Sequence, residues 1–528
     1  MDRREFLQAT GTTMAGVAMA AKLGGTAHAA SHADQFDIGA KFAEFMSDIG
    51  GSADDAGGKV SFVGSDPILR SHFRIGACMA IPAMAAGVGA ASIWRERTGE
   101  EQNLSVDLRE SIYHTNPLIK VVQAVDLRAG KLPKDDPIPA SFNFLPTMNG
   151  KFLQAPLGIG NPFSFAIWDT KDDRKVTITG LYPGINDTAL RVLGTPPDAD
   201  SIRKAVKQFE AEELDGAMAK AGAVCAIHRT AEEWAEHPQG KYLASQKVIE
   251  IKKIGDADPI ELPSNPEQPL SGIKTIAFTH VIAGSCAART LAENGSQVLH
   301  IARDQSVEHD LIWQDVNVGM RSSFINLRQP EQKSQVEKLL PDANVFIESF
   351  RGRAIERQGL GVEEVARIRP GIVYLSLRCY GWEGPWRDRG GFDMEGLTAT
   401  GYTMAEGGGK GPVFPPTMVL NDYIAGYLGA AGIMAALRRQ SREGGSYHVQ
   451  VSLSRAAMWY AGLGSFADPN DFDPMDPEHR MIDPETIKGQ TCYGEVHRLG
   501  PQVKLSRTPG RYRDPLIVVR GSDVAGWI

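Results

Sequence analysis

One carboxylate stands out by its position in the sequence. Asp422 lies in the stretch Val-Leu-Asn-Asp-Tyr, directly before a long run rich in alanine and glycine. An aspartate at this point can cap the first turn of the helix that follows and stabilise it by about 1 kcal/mol. The same carboxylate can also act as a nucleophile that forms a covalent acyl intermediate, and the amino end of a helix favours an oxyanion formed beside it. Position alone leaves both interpretations open.

A single arginine marks a second candidate site. Residues 280–285 (His-Val-Ile-Ala-Gly-Ser) follow a predicted strand and lack the G-x-G-x-x-G pattern of dinucleotide-binding loops. The next predicted strand ends at Arg303, where an NAD-binding domain has an acidic residue. Because a guanidinium suits a phosphate group, the sequence predicts a phosphorylated nucleotide rather than NAD, or else an ordinary α/β core with a surface arginine. Residues 407–410 (Gly-Gly-Gly-Lys) lack the upstream glycine and the following Ser/Thr of a P-loop.

The elements that would position these residues alternate along the chain. Apolar strands are predicted at 273–279, 297–301, 345–348 and 372–377, with helices at 287–294 and 330–340 between them. Residues 280–285 are predicted as a loop. This alternation indicates an α/β fold with a parallel, Rossmann-like sheet and right-handed crossovers.

A partial internal repeat connects the two halves of the chain. Residues 81–112 align without gaps with residues 426–457 at an offset of 345, and each copy predicts a helix of small residues, a glycine turn, a short strand and a second helix. At the same offset, Ala77, which lies four residues before the aligned segment, is the partner of Asp422. Only the second copy therefore has the carboxylate. Two unrelated alanine-rich helices are the alternative. The identical residues in the first copy are Ala85, Ala86, Gly87, Ala90, Ala91, Arg97, Gly99, Val106 and Leu108.

The composition excludes several classes of protein. Of 528 residues, 42% are hydrophobic and 23% charged, with a net charge of −8, which is typical of a globular soluble protein and argues against a nucleic-acid binder. Past the N-terminus, no run of roughly eighteen apolar residues predicts a membrane span. The acidic segment 468–484 lacks the order of a calcium loop, and no metal site is predicted. No zinc ribbon, redox motif or disulfide framework is predicted from the five cysteines, since none forms a C-x-x-C pair: Cys78, Cys225, Cys286, Cys379 and Cys492.

The first 29 residues predict an export signal. Arg3 and Arg4 precede Phe6 and a stretch of small, mildly apolar residues, which closes with Ala27-His28-Ala29. This pattern is typical of a twin-arginine signal peptide cleaved after Ala29. We therefore expect recognition by the Tat export machinery and a periplasmic location, or a cytoplasmic one if the leader is not used. An ordinary amphipathic N-terminal helix is the alternative.

The segment 272–460 resembles the class III CoA-transferases of the CaiB/BaiF type, the family of formyl-CoA and carnitine CoA-transferases. The similarity runs in order through GIKTIAFTHVIAG, GSQVLHIAR, ANVFIESFRGRAIERQGLG, IVYLSLRCYGWEGPWRDRGGFD, NDYIAGYLGAAGIMAALRR and HVQVSLSRAA, and continues in GPQVKLSRTPG. The first half is similar more weakly, through WRERTGEEQNLSVDL and AEEWAEHPQGKYLA. A proline-rich segment at 256–272 is the predicted linker, with a second break at 132–139. We accordingly expect a signal peptide at 1–29, a degenerate family-like half at 30–265 and a Rossmann-like half at 266–528.

The resemblance implies a CoA-transferase in which Asp422 is the nucleophile. Its attack on an acyl-CoA thioester would give an acyl–aspartyl anhydride, the returning CoA thiolate would give an aspartyl–CoA thioester, and a carboxylic acid would accept the CoA. Coenzyme A enters as a substrate, and no cofactor is bound permanently. The CoA contacts that the resemblance carries over by position are His280, Ala283, Gly284, Arg303, Arg321, Arg357 and Gln358.

The departures from the family pattern define the alternatives. The racemase branch has a catalytic histidine in a Gly-x-Asp segment, and Phe392 occupies that place here, which disfavours a racemase or isomerase. Asp393 follows it and is the secondary catalytic candidate. The glycine-rich loop that covers the active site of formyl-CoA transferase has no clear counterpart. A non-catalytic exported protein that binds CoA or an acid is another alternative, because CoA is cytoplasmic. The family forms interlocked dimers, so a homodimer is one expectation, and contacts satisfied within the repeated chain are the other.

Overall fold

A computed structural model describes residues 36–116, 147–152, 161–163 and 165–528. The predicted signal peptide at 1–29 and the predicted break at 132–139 lie outside these residues. The elements are given below in chain order, from the amino-terminal segment through a small α/β unit to the main sheet.

The amino-terminal segment is dominated by one long buried helix. This helix, α2 (Ile75–Thr98), is followed by Gly99, whose backbone is in the left-handed region, as the glycine turn of the repeat predicts. The two strands of the segment pair in parallel. The elements are α1 (Ile38–Asp48), β1 (Gly57–Val63), α2 (Ile75–Thr98), β2 (Gln102–Asp107) and α3 (Leu108–Thr115).

The chain then forms a small α/β unit with its own apolar core, which includes Trp168, Ile178 and Leu214. Strands β5, β6 and β7 form an antiparallel sheet, and helices cover it. The elements from here to the main sheet are β3 (Thr147–Met148), β4 (Lys151–Phe152), β5 (Ile167–Asp169), β6 (Lys175–Thr179), α4 (Pro183–Leu193), α5 (Ala199–Val206), α6 (Ala211–Ala221), β7 (Val224–Ile227), α7 (Ala231–Glu236) and α8 (Pro238–Ala244).

The second half builds a seven-stranded sheet in the order β11-β10-β9-β12-β13-β14-β8. The six strands from β9 onward are parallel, and β8 joins the edge antiparallel to β14. Short 3-10 turns occur at Ala53–Ala56, Leu340–Asp342 and Glu356–Gln358. The elements are β8 (Ile249–Gly255), β9 (Lys274–Phe278), α9 (Ala283–Glu293), β10 (Gln297–Ala302), α10 (Asp310–Val316), β11 (Arg321–Phe324), α11 (Pro330–Leu339), β12 (Val345–Glu348), α12 (Val362–Ile368), β13 (Val373–Arg378), α13 (Asp393–Ala399), α14 (Tyr402–Glu406), α15 (Asn421–Glu443), β14 (Ser446–Ser452) and α16 (Leu453–Ala461).

Three short strands near the carboxyl end of the chain pair directly or through one another with strands of the first half. They are β15 (Thr486–Thr491), β16 (Gly494–Leu499) and β17 (Lys504–Leu505). Strands β15 and β16 extend the β3–β4 hairpin into a four-stranded sheet, and β17 pairs with β2. Together with β8 in the main sheet, these pairings tie the two predicted halves together by backbone hydrogen bonds.

The predicted parallel α/β architecture is confirmed. Taken in chain order from β9, the parallel strands lie in the order three-two-one-four-five-six, which is that of a doubly wound sheet. The loop predicted at 280–285 is shorter than expected, because α9 already begins at Ala283. A side chain on Gly284 would place its Cβ 2.6 Å from Ser349 Oγ, so the glycine lets the first turn of α9 lie against the loop after β12.

The two copies of the repeat have the same local structure. At the offset of 345, α2, β2 and α3 correspond to α15, β14 and α16, and Asp107 and Ser452 cap the third element of each copy by accepting a backbone hydrogen bond. The long helices pack on each other, with a hypothetical Cβ at Gly89 only 2.9 Å from Met434 Cβ. Of the helices that the structure describes, α2 is the one long and apolar enough to cross a membrane, and that stretch is entirely buried inside the protein.

Candidate active site

Asp422 is the second residue of α15 and is 6% exposed. The N-cap position belongs to Leu420, which makes no side-chain capping bond. The capping role considered for Asp422 is therefore wrong in this structure. Burial, together with the charges of Asp393 and Glu395, raises the pKa of Asp422 well above its ordinary value. Asp422 is therefore a buried carboxylate with two acidic neighbours in the first turn of α15.

Asp393 supplies the cap that α15 lacks in its own sequence. Its Oδ2 accepts hydrogen bonds from the backbone N–H of Asp422 at 2.8 Å and of Leu420 at 3.1 Å. Burial raises the pKa of Asp393 to about 7, and these backbone N–H groups oppose that rise. Because they already donate to Asp393, the N–H groups of Leu420 and Asp422 are not available to an oxyanion on a substrate. These two hydrogen bonds hold Asp393 against the start of α15.

A third carboxylate connects this pair to the small α/β unit. Glu395 is the third residue of α13, two positions after Asp393, and is fully buried. Its Oε1 accepts a hydrogen bond from Thr179 Oγ1 at 2.5 Å, and its Oε2 accepts one from the N–H of Phe392 at 3.0 Å. We call Asp393, Glu395 and Asp422 the acidic cluster. Because Thr179 is the last residue of β6, the small unit of the first half is attached at this cluster. Burial raises the pKa of Glu395 as well.

Three of the predicted CoA contacts lie at the carboxyl end of β9. His280 follows the strand, and its N–H donates to Ser349 Oγ at 3.1 Å while its carbonyl accepts from the same hydroxyl at 2.9 Å. Ala283 and Gly284 form the first turn of α9. The Ala283 carbonyl oxygen would lie 2.9 Å from a Cβ on Gly426. The predicted CoA loop therefore packs directly on the helix that carries Asp422.

Three more of the predicted CoA contacts follow β10 and β12, the two strands that flank β9 in the sheet: Arg303, Arg357 and Gln358. Arg303 is exposed and comes directly after β10. Arg357, which is exposed, and Gln358, which is half-buried, form a 3-10 turn after β12. The carboxyl ends of parallel strands meet at one edge of a sheet, where ligands of doubly wound folds bind. The segments that carry these three residues therefore leave the sheet at the same edge as the loop that carries His280.

The structure does not bring Arg321 to that edge. Arg321 is the first residue of β11, at the amino end of the strand, and is 8% exposed. Its guanidinium donates to Asp523 Oδ1 at 3.1 Å and to the Val524 carbonyl at 2.9 Å, and it also contacts the Gly526 carbonyl. Asp523 also accepts from the backbone of β11 through Oδ2. In this structure the carboxy-terminal segment accepts hydrogen bonds from Arg321, which the family resemblance assigns to CoA.

Sequence reasoning missed a cluster of rings beside the acidic pair. Tyr182, from the loop between β6 and α4, is 8% exposed, and its ring centroid lies 4.9 Å from those of His280 and His309 and 6.0 Å from that of Phe392. Its hydroxyl donates to Glu308 Oε1 at 3.3 Å. No local signal predicted Tyr182, because it is far from Asp422 in sequence and belongs to the half predicted to be degenerate.

The first half contains an equivalent of Asp393. Asp66 follows β1, and its carboxylate accepts hydrogen bonds from the N–H of Gly76 at 2.9 Å and of Ala77 at 2.8 Å, at the start of α2. Burial raises the pKa of Asp66 to about 6. Ala77 is the repeat partner of Asp422, so the first copy keeps the capping carboxylate and has a methyl group where the second has the candidate nucleophile.

The four buried cysteines offer no second nucleophile in the described part of the chain. All five cysteine thiols are free, four of them buried and Cys492 exposed. Burial raises the pKa values of Cys78, Cys225, Cys286 and Cys379, which disfavours reactive thiolates. No group of three or more His, Cys, Asp or Glu side chains in the described ranges has the geometry of a metal site.

Comparison with known proteins finds relatives of part of the chain. The profile of CoA-transferase family III matches residues 270–481. An acetyl-coenzyme A transferase, nodX, of Hypoxylon pulicicidum is 30% identical over 321 residues, which cover 56% of this chain and 53% of that protein. The alpha subunit of a succinyl-CoA–L-malate CoA-transferase from Chloroflexus aurantiacus is 32% identical over 243 residues, covering 43% and 54%. The chain thus spans about half the length of the curated relatives it matches.

Solved structures show the same partial coverage. A hypothetical protein of Mycobacterium tuberculosis matches with 29% identity and a TM-score of 0.34 over 37% of this chain and 57% of that one. A CaiB/BaiF family protein of Brucella suis matches with 24% identity and a TM-score of 0.34 over 36% and 55%. The profile match includes Asp393, Asp422 and the loops at the carboxyl edge of the sheet. Residues 270–481 of this chain are therefore similar to CoA-transferase family III.

Proposed function

We propose that the chain transfers coenzyme A from an acyl-CoA to a carboxylic acid, with Asp422 as the nucleophile. The observation that carries the proposal is the placement of Asp422. It is a buried carboxylate in the first turn of α15, held against Asp393 and packed beside the loop that the family resemblance assigns to CoA. The family match and the names of the relatives support the reaction class.

In the proposed first step, an Asp422 carboxylate oxygen attacks the thioester carbonyl carbon of the acyl-CoA. The C–S bond breaks, CoA leaves as the thiolate, and an acyl–aspartyl anhydride remains. The thiolate then attacks the Asp422 carbonyl carbon, releases the original acid as its carboxylate and leaves an aspartyl–CoA thioester. An acceptor carboxylate repeats the two steps in reverse and restores Asp422. A carboxylate suits this exchange because every intermediate remains an activated acyl group.

The acidic surroundings of Asp422 affect its reactivity in this scheme. Burial and the neighbouring charges of Asp393 and Glu395 raise the pKa of Asp422, which reduces the ionised fraction at low pH and increases the basicity of the carboxylate once it is ionised. Asp393 is not placed to touch the substrate through its Oδ2, which is occupied by the start of α15. We therefore assign Asp393 as a positioning residue.

The test is to trap the intermediate. The chain is incubated with acetyl-CoA or succinyl-CoA and hydroxylamine, which converts an aspartyl anhydride or thioester into a hydroxamate, and the peptides are analysed by mass spectrometry. We expect the hydroxamate on Asp422, and a loss of transfer of roughly a thousandfold or more in Asp422→Asn and Asp422→Ala. Asp66 is the internal control, because its carboxylate caps a helix start as that of Asp393 does but has no predicted role in the reaction, so we expect no hydroxamate there. CoA binding without modification of Asp422 would refute the proposal and favour a non-catalytic binding protein.

A further inference from the structure

The small unit of the first half is attached at the acidic cluster by more than one contact. Thr179, at the end of β6, donates to Glu395 Oε1. Tyr182, three residues later, lies with its ring near-parallel to that of Phe392, at an interplanar angle of 19°. Phe392 precedes Asp393, whose Oδ2 accepts from the N–H of Asp422. A continuous series of contacts therefore runs from the first half to the candidate nucleophile.

The ring of Tyr182 is held on several sides. His280 contributes one neighbour from the loop after β9, and His309 contributes another from the residue before α10. His309 is fixed in turn by a 3.1 Å hydrogen bond between its Nε2 and the Leu181 carbonyl. A ring that is 8% exposed and surrounded in this way has little rotational freedom.

The hydroxyl of Tyr182 is fixed by Glu308. Tyr182 Oη donates to Glu308 Oε1, and Glu308 Oε2 lies 3.6 Å from His280 Nε2. Glu308 thus bridges the tyrosine of the first half and the predicted CoA loop of the second. The charge of Asp422 is among the causes that raise the pKa of Tyr182 above its ordinary value, after burial and Glu308, so the phenol and the candidate nucleophile lie within electrostatic range of each other.

From these contacts we propose that Tyr182 shields the acyl–aspartyl intermediates on Asp422 from water. The inference rests on the proposed function and adds a role for the first half of the chain. An aspartyl anhydride reacts with water to give two carboxylic acids, and an aspartyl–CoA thioester reacts to give Asp422 and free CoA thiol. Either reaction wastes the activated acyl group. A rigid aromatic ring beside the site excludes water at all times, whereas a mobile cover excludes water only when it is closed.

The test measures how the intermediates partition between transfer and hydrolysis. Transfer is followed as acceptor-CoA formed from an acyl-CoA and an acid, and hydrolysis as free CoA thiol released from the same acyl-CoA without acceptor. We expect Tyr182→Ala to raise the ratio of hydrolysis to transfer by roughly tenfold or more. Tyr182→Phe keeps the ring and loses the bond to Glu308, so its ratio rises less than that of the alanine variant. If Tyr182→Ala does not fold, Tyr182→Leu removes the flat ring with less loss of volume, and the same direction is expected.

Tyr447 provides a matched control. It is 4% exposed, lies at the amino end of β14 and donates from its hydroxyl to the Gly444 carbonyl at 3.1 Å. Tyr447→Ala therefore removes a similarly buried tyrosine at the opposite edge of the sheet, and its ratio should stay that of the wild type even if its stability falls. An unchanged ratio in the Tyr182 variants, or an equal rise in Tyr447→Ala, would overturn the shielding role. A wild-type chain with neither transfer nor hydroxamate would instead refute the proposed function itself.

Discussion

Replacing Gly426 by alanine tests whether the close approach of α9 and α15 positions the active site. A Cβ at Gly426 would lie 2.6 Å from Cys286 Cβ and 2.9 Å from the Ala283 carbonyl oxygen. Ordinary van der Waals contact begins at 3.4 Å. Neither neighbour is the flexible end of a long side chain, so the two helices must move apart by several tenths of an ångström to accept the methyl group.

The expected cost follows from two opposing effects. Overpacking a tight site costs about 1–3 kcal/mol, whereas alanine improves helix propensity over glycine by about 1 kcal/mol. Since the atoms that must move are a Cβ and a backbone carbonyl, we expect the upper part of the first range. The net loss in free energy of unfolding should then be about 1–2 kcal/mol, seen as a fall of a few degrees in the midpoint of thermal unfolding.

The same displacement should affect catalysis more than stability. Gly426 lies one helical turn after Asp422, and Ala283 begins the helix that follows the predicted CoA loop. A misplacement of about 1 Å between a nucleophile and its substrate can cost roughly a hundredfold in rate. We therefore expect kcat for CoA transfer to fall by about tenfold to a hundredfold in Gly426→Ala, with the hydroxamate at Asp422 formed more slowly.

Gly216 is the matched control for this substitution. It lies in the middle of α6, is exposed, and a Cβ there would meet no atom within 4 Å. Gly216→Ala should leave activity unchanged and raise the free energy of unfolding by up to about 1 kcal/mol. The packing argument would be refuted if Gly426→Ala unfolded at or above the wild-type midpoint with kcat unchanged.

Two further predictions concern buried carboxylates and pH. Asp393→Asn keeps an oxygen that can accept from the N–H groups of α15 but removes a charge that raises the pKa of Asp422, so the acid limb of kcat/KM should move to lower pH. An unmoved limb would show that Asp393 does not act through that charge. For Glu406, burial raises the pKa from 4.5 to about 8, so between these values the folded state binds more protons than the unfolded state. Stability should therefore fall as pH rises through this window, by at most about 1.4 kcal/mol per pH unit for this group. In Glu406→Gln, which keeps an acceptor for Ser71, the slope of urea midpoints against pH should be shallower, and an identical slope would contradict the assignment.

The strands and helices of the main sheet were predictable because their signal is local. Each buried parallel strand is a short apolar run. The helices predicted at 287–294 and 330–340 are found at Ala283–Glu293 and Pro330–Leu339. The repeat was visible for the same reason, since α2 and α15 are both built of small residues that allow close helix packing. Local patterns also placed Asp422 correctly at the start of a long helix.

The partners of these residues were not predictable, because they are contacts between distant segments. Asp393 caps α15 from another helix, and Tyr182 reaches the acidic cluster from the first half. The spacing of residues along the chain does not indicate either contact. The partners of Arg321 are a further example, because its guanidinium donates to Asp523 and to the Val524 carbonyl, about two hundred residues away in the sequence.

By itself, the sequence determined the class of fold, the parallel order of alternating elements, the repeat and the position of Asp422 at the start of a long helix. These follow from hydrophobic periodicity and from residue types at element ends, which act over a few residues. The tertiary structure decided what surrounds that carboxylate: a second aspartate that holds its helix, a glutamate tied to the small unit, and a tyrosine from the first half. The reason is physical, since burial and the charges of neighbouring carboxylates raise the pKa of Asp422, and both depend on which distant segments the fold brings together.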